Sequence, residues 1–316
     1  ARVLVPGVVI GLTLGAACAV PSARVLAETP DDPRSEPFAR EMRVVMGTTA
    51  EVAAGGLVDP VPALDGAFAA LDLVEERLSL WKESELAALN REGRRVVSAE
   101  TFDVIRHALE IAAASGGAFD PTVEPLVRAR FGHRRVTLDP STRTVRLAQG
   151  ARLVLDAVAK GDAADRGVVA LRSAGATRGL VDLGGSTLAV FGVPHTVDLR
   201  DPLGEERPWA SFRLHEAALG TSGGDQQPGH ILDPRTGRPA RGVLQATVVA
   251  ATAREADALS TAVFVLGAEE GLALLEERGA AGLVLLLDEG RRVVRATPGF
   301  SAAYDLVVAA GVELRE

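Results

Sequence analysis

The sequence predicts an α+β fold of mixed and antiparallel sheets with packed helices. Three observations carry that expectation. Segments of period two come in runs broken by helices, without the strict β-α-β alternation of a doubly wound sheet. Apolar residues recur at helical spacing in several separate stretches. Hydrophobic residues make up 47% and charged residues 24% of the 316 positions, which sets aside a disordered or fibrous chain and leaves ample material for a core.

The elements follow in order. From Val3 to Val20 no residue is charged, Arg2 supplies a positive flank, and Val25-Leu26-Ala27 offers residues that a signal peptidase reads. Residues 1–27 are expected to be an export signal or a retained membrane anchor. Pro6, Gly7, Gly11 and Gly15 interrupt a run barely long enough to span a bilayer, which favours removal. Leu14 stands one place too far from Cys18 for lipid attachment. Residues 28–39, rich in Pro, Asp and Glu, read as a linker, and residues 40–316 as one folded domain.

Arg43 to Val52 reads as a strand. After Pro60 and Pro62, Leu64, Phe68, Leu71, Val74 and Leu78 form one helical stripe. A second helix opens at the N-cap candidate Ser98, turns Phe102, Ile105, Leu109 and Ala112 inward, and ends at Gly116-Gly117. Arg135 to Leu147 has the form of a hairpin closed at Asp139-Pro140, and Leu153 to Leu155 reads as a further short strand. Lys160 to Ala174 is expected to be helical. Gly179–Leu183, Thr187–Phe191, Thr196–Arg200 and Leu244–Ala251 read as strands, Glu255–Leu266 and Glu269–Glu277 as helices. A hairpin of Gly282–Leu287 and Arg291–Ala296 closes the sequence.

Charge and cysteine content narrow the chemistry. A formal net charge of −8 leaves no excess of Lys and Arg to neutralise a phosphate backbone, so no nucleic-acid partner is expected. Cys18 is the only cysteine, which rules out an internal disulfide and a cysteine-rich metal site. Any metal must be held by oxygen or histidine.

Four stretches carry functional signals. In Gly220-Thr-Ser-Gly-Gly-Asp225, glycines beside the Thr221 and Ser222 hydroxyls let backbone N–H groups approach an anion, although Ser-Gly-Gly is also ordinary turn chemistry. His230, one of five histidines, follows closely and leads into an Asp233-Pro-Arg-Thr-Gly237 turn that holds Asp233, Arg235 and Thr236 outward. In Arg254 to Ala262, Asp257 and Thr261 are four apart and share a helix face, half of an oxygen site for a hard cation such as Mg²⁺. In Asp156 to Asp165, free carbonyls before a helix suit a cation and Lys160 suits a phosphate. Val181-Asp-Leu-Gly-Gly-Ser186 ends a strand on paired glycines, without the spacing of a dinucleotide fingerprint.

Together and in this order, these stretches resemble the ApbE family of FAD:protein FMN transferases. The matching motifs are Met46-Gly-Thr-Thr49, Trp81-Lys-Glu-Ser-Glu-Leu86 with Asn90, and Gly117-Ala-Phe-Asp-Pro-Thr-Val-Glu-Pro-Leu126. Ala157-Val-Ala-Lys-Gly161, Asp182-Leu-Gly-Gly185, Thr221-Ser-Gly223, His230 to Gly237 and Asp257 to Thr261 continue them. Each motif is common, but the ordered set is specific, and the likeness covers about Arg43 to Gly267.

The resemblance implies the ApbE-like flavin transferase fold, FAD as substrate, and Mg²⁺ beside its pyrophosphate. It implies metal ligands at the Ala157 carbonyl, Asp257 and Thr261. It implies a flavin cleft lined by Met46, Trp81, Asn90, Glu124, Lys160, Asp182, Thr221, Ser222, Gly223, His230 and Asp233. The implied reaction moves FMN to a threonine of a target flavoprotein and releases AMP. His230 and Asp257 are the catalytic candidates, His230 either positioning phosphate or assisting proton transfer. Export would place the chain in the periplasm or on the outer face of the inner membrane. Two departures stand out: Trp81 replaces the family's usual tyrosine, and the stretch between Gly223 and His230 is short and carries no aromatic residue. A Mg²⁺-dependent FAD pyrophosphatase and a flavin-binding protein without turnover remain as rival readings.

Overall fold

The computed structural model of the chain describes residues 23–26, 38–122, 132–223 and 231–316. After strand β1 (Ala23–Leu26), a hairpin of β2 (Phe38–Val45) and β3 (Thr48–Gly55) opens the folded body. Met46 and Gly47 form its two-residue turn with φ of 54° and 73°, the sign that matches the right-handed twist of paired strands. Helix α1 (Val61–Leu78) has Pro in its first turn and buries Leu64, Phe68, Leu71, Val74 and Leu78.

Helix α2 (Glu85–Glu92) is capped by the Ser84 hydroxyl and ends on a left-handed Gly93. Strand β4 (Arg94–Val96) then leads to α3 (Ala99–Ala114), capped by Ser98. A hairpin of β5 (Val136–Asp139) and β6 (Thr144–Leu147) joins β4 in a three-stranded sheet. Helix α4 (Asp156–Ser173) precedes the strand-rich middle: β7 (Arg178–Leu183), β8 (Thr187–Phe191), β9 (His195–Leu199), β10 (Ala210–Leu214) and β11 (Ala217–Gly223). A ribbon of β12 (Leu232–Asp233) and β13 (Arg238–Pro239) leads into β14 (Val243–Ala250). Helices α5 (Ala253–Leu266) and α6 (Ala268–Arg278) follow. The chain closes with β15 (Ala281–Asp288), β16 (Arg291–Ala296), α7 (Phe300–Tyr304), β17 (Val307–Val308) and β18 (Val312–Arg315).

A nine-stranded sheet in the order β18-β16-β15-β14-β11-β8-β7-β3-β2 forms the middle layer. Its β16–β18 pairing is parallel and the rest antiparallel, so the sheet is mixed. Helices α1, α4 and α5 cover one face. A four-stranded sheet, β1-β9-β10-β17, covers the other. The two-residue period of a strand decides which side chain meets which layer. On β8, Ala189 and Phe191 point to the helices, while Leu188 and Val190 join Trp209, Phe212 and Phe300 between the sheets.

The expected α+β class is the observed one. Several local expectations change. Arg43 to Val52 is a hairpin, because Met46-Gly47 supplies the turn. Leu153 to Leu155 forms no strand, and the backbone of Leu153 bonds instead to the Asn90 side chain. The helix expected from Lys160 starts at Asp156. Helix α2 lacks a long apolar stripe and was not foreseen. The C-terminal hairpin does not end the chain, since β18 returns parallel to β16. Residues 1–22 and 27–37 lie outside the described residues; Ala23–Leu26 of the expected leader pair with β9, and Phe38 and Ala39 of the expected linker belong to β2. Among the described residues no helix is long and apolar enough to cross a membrane.

Candidate functional site

Strand register gathers the sequence motifs at one end of the large sheet. Thr187 pairs with both Leu183 and Gly220, Ala50 pairs with Leu183, and Ser222 pairs with Ala246. The Met46-Gly47 turn, the Gly184-Gly185-Ser186 turn and the Thr221-Ser222-Gly223 end of β11 therefore share that end. The first two turns touch: Gly184 N–H donates to the Thr49 carbonyl at 2.9 Å. Thr221 N–H donates to the Ser186 carbonyl at 2.7 Å, which ties the second turn to β11.

Helix α5 packs closely on α4 and on β11 at this end, and one glycine in each neighbour allows the approach. A Cβ on Gly161 would lie 2.3 Å from the Ala253 carbonyl oxygen, and one on Gly220 would lie 2.4 Å from the Ala256 carbonyl oxygen. No side chain fits either place. The contact brings Asp257, only 5% exposed, against α4 and β8. Its carboxylate accepts Gly161 N–H at 3.1 Å and the Thr187 hydroxyl at 3.1 Å. In a regular helix the Gly161 N–H would serve the Ala157 carbonyl. Its bond to Asp257 therefore ties that carboxylate to the turn of α4 that carries the Ala157 carbonyl. Burial pushes the Asp257 carboxyl above its ordinary value, while Lys160, Gly161 N–H and Thr187 pull the other way.

Thr261 lies one turn further along α5, on the same face. The Ser222 hydroxyl meets Ser260 at 2.9 Å and Thr261 at 3.3 Å, so the β11 end and α5 form a patch of hydroxyls. Thr221 is buried beside Thr247 at 3.4 Å. Lys160 Nζ donates to the Ser186 hydroxyl at 2.5 Å, which draws its charge to the glycine turn. Asp182 accepts Gly185 N–H at 2.7 Å. Burial raises its carboxyl to about 7; Gly185 and Lys160 oppose the rise and Glu51 adds to it.

The structure thus brings together Ala157, Lys160, Asp182, Ser222, Asp257 and Thr261; the Thr221 side chain alternates to the other face of β11, beside Thr247, and only its backbone reaches the glycine turn. Met46 sits in the hairpin turn at the same end, half-buried against the helix-side core. Asn90 spends both ends of its amide on the Leu153 N–H and carbonyl, each at 2.8 Å, and so fixes the segment leading into α4. Trp81 stands in the α1–α2 connection and is 91% exposed. Asp233 accepts from the Arg235 N–H and guanidinium. Burial pushes its carboxyl up, but Arg235 outweighs this and holds it below the usual value. Glu124 and His230 lie outside the described residues, as does the short stretch before His230.

Sequence reasoning missed the partners that shape the site: Thr187, Ser186, Ser260, and the acids Asp162 and Asp165. Gly161 carried the one available signal, since glycine within a helix costs stability unless packing demands it. Among the described residues no three or more His, Cys, Asp or Glu are placed to hold a metal ion between them. A cation here can rely on one carboxylate, a carbonyl and hydroxyls. Such an all-oxygen donor set suits a hard ion that keeps water or phosphate ligands.

Comparison with known proteins places the chain in a family. Residues 46–284 match the sequence profile described as "ApbE family". An FAD:protein FMN transferase of Treponema pallidum is 32% identical, over 75% of this chain and 80% of the relative. One from Vibrio cholerae is 28% identical, over 70% of this chain and 78% of its own length. Among solved structures, the ApbE protein of Thermotoga maritima superposes with a TM-score of 0.76 at 26% identity, covering 84% of this chain and 99% of that one. The apo flavinyl transferase ApbE of Pseudomonas stutzeri also gives 0.76 at 23% identity, covering 86% and 98%, a likeness of fold.

Proposed function

The chain belongs to the ApbE family, and on that premise we propose that it is an enzyme that transfers FMN from FAD to a threonine of a target flavoprotein, with Mg²⁺, releasing AMP. The relatives it matches are FAD:protein FMN transferases. The observation that carries the finer reading is the bond from Gly161 N–H to Asp257 across the α4–α5 crossing. It joins a buried carboxylate to the helix turn that carries the Ala157 carbonyl.

The donor set fits Mg²⁺. The Ala157 carbonyl, Asp257 and Thr261 would hold it, and it would supply charge neutralisation on the pyrophosphate oxygens. A buried carboxylate whose charge is disfavoured by burial is itself stabilised by a cation. The protein's own groups do the rest. Lys160 and the hydroxyls of Ser186 and Ser222 face the substrate's phosphates. Met46, Trp81 and Asp182 border the flavin, Asn90 holds the segment that leads to the metal ligand, and Glu124, Asp233 and His230 complete the cleft. The threonine oxygen attacks the FMN phosphorus, the bond to the AMP oxygen breaks, and the hydroxyl proton leaves the acceptor. His230 positions the phosphate or takes that proton. Residues 1–27 export the chain, which works in the periplasm or on the outer face of the inner membrane.

The test is the fate of FAD, incubated with the purified chain and Mg²⁺, with and without a threonine-bearing acceptor domain. Transfer predicts AMP release matched one-for-one by covalent flavin on the acceptor. AMP release unaffected by acceptor, with free FMN as the product, would establish the pyrophosphatase instead. FAD recovered intact under both conditions would establish a carrier.

A further inference from the structure

The proposed cation site takes ligands from two helices, Ala157 from α4 and Asp257 and Thr261 from α5. Metal–ligand distances tolerate only about ±0.2 Å, so the offset between the helices decides whether a site exists. The Gly161–Ala253 contact permits the approach but does not fix the sliding of one helix along the other. A second set of contacts does. One turn beyond Gly161, the Asp165 carboxylate accepts the first two N–H groups of α5: Ala253 at 2.7 Å on one oxygen and Arg254 at 3.0 Å on the other. Helix starts leave these donors without intrahelical partners, and here a different helix supplies both acceptors.

On the neighbouring face of α4, Asp162 is 1% exposed and holds the Arg254 guanidinium at 2.5 Å. Arg254 reaches on to Asp103 of α3 at 2.6 Å, and Arg166 secures the other Asp162 oxygen at 2.8 Å. Five charged groups on three helices thus converge on the start of α5, one turn below Asp257. None of them touches the candidate cation site.

We propose that Asp165, supported by the Asp162–Arg254 pair, is a positioning residue that sets the register of α5 against α4 and thereby assembles the cation site. The inference rests on the metal reading given above. It predicts that Asp165 acts on cation affinity through Asp257 and Thr261, at a distance, by holding their helix. In Asp165→Asn the side chain keeps its shape but offers one acceptor where two are needed, and turns an N–H₂ group toward an N–H.

The experiment measures Mn²⁺ binding by the full chain, as loss of the free-ion electron paramagnetic resonance signal, with no FAD present. Four proteins are compared: wild type, Asp257→Ala, Asp165→Asn, and Leu214→Ala, a destabilising change in the core between the sheets. Melting temperatures are taken for all. The proposal expects binding by wild type, none by Asp257→Ala, an affinity about 10-fold weaker in Asp165→Asn, in the range of outer-shell metal-site changes, and unchanged affinity in Leu214→Ala. Wild-type affinity in Asp165→Asn overturns the positioning role and leaves the metal reading standing. Equal weakening in Leu214→Ala also overturns it, since general destabilisation would then suffice. No binding by wild type, or full binding by Asp257→Ala, overturns the metal reading and the positioning role with it.

Discussion

The two faces of the large sheet are built on opposite principles. Between the sheets, bulky side chains fill space: Trp209, Phe212 and Phe300 are each 1% exposed, and Phe212 meets Phe300 edge-on with centroids 5.5 Å apart. The polar handle of Trp209 is satisfied, its indole N–H donating to Gln245 at 2.7 Å. On the other face, α4 meets α5 at Gly161 and Ala253 and α5 meets β11 at Ala256 and Gly220, with the carboxylates of Asp162, Asp165 and Asp257 at or near these contacts. Burial lifts the Asp165 and Asp257 carboxyls above their ordinary values. The first region stabilises the fold by packing. The second brings backbones close and holds charge out of water, at a cost to stability, where the site needs it.

Changes that separate these roles sharpen the comparison. The largest loss of stability is expected from Trp209→Ala, about 3–5 kcal/mol, because it opens a cavity and strands Gln245. Chemical denaturation measures it, and covalent flavin transfer by the remaining folded protein should persist. Gly161→Ala is expected to cost about 1–3 kcal/mol by forcing the helices apart, yet to abolish transfer, which a flavin-fluorescence gel would show. Normal transfer in that variant would break the comparison. Thr261→Val should move stability by less than about 1 kcal/mol and raise the Mg²⁺ concentration needed for half-maximal rate.

Asp182→Asn tests the account through the sign of a pH dependence. The folded carboxyl is raised to about 7, above its unfolded value, so its contribution to stability is present at acid pH and is lost as pH rises through about 7. Replacing it should raise the melting temperature relative to wild type more at pH 8 than at pH 5. An equal difference at both values would contradict the burial of that charge.

How much of this was legible beforehand follows from the same contrast. Periodicity exposed α1 and α3 because one stripe of each is buried, and Ser98 capped α3 as expected. The motifs around Ala157, Asp182, Ser222 and Asp257 could be named in sequence because loop ends and helix starts carry the chemistry, and register brings them to one end of the sheet. The partners were not legible. Thr187 and Asp257 are 70 residues apart and meet at 3.1 Å only because β8 and α5 face each other. Helix α2 stayed hidden because eight residues carry too little periodicity to separate from a loop. Leu153 to Leu155 reads as a strand by composition, yet among the described residues its backbone bonds to the Asn90 side chain and to the Pro121 carbonyl and joins no sheet.

The most direct test of the central claim is covalent flavin on an acceptor domain after denaturing electrophoresis, comparing wild type with Asp257→Ala at saturating FAD and Mg²⁺. The account predicts a fluorescent acceptor band with wild type, lost on chelation of Mg²⁺, and none with the variant although it melts as a folded protein. A full-strength band from Asp257→Ala would contradict it.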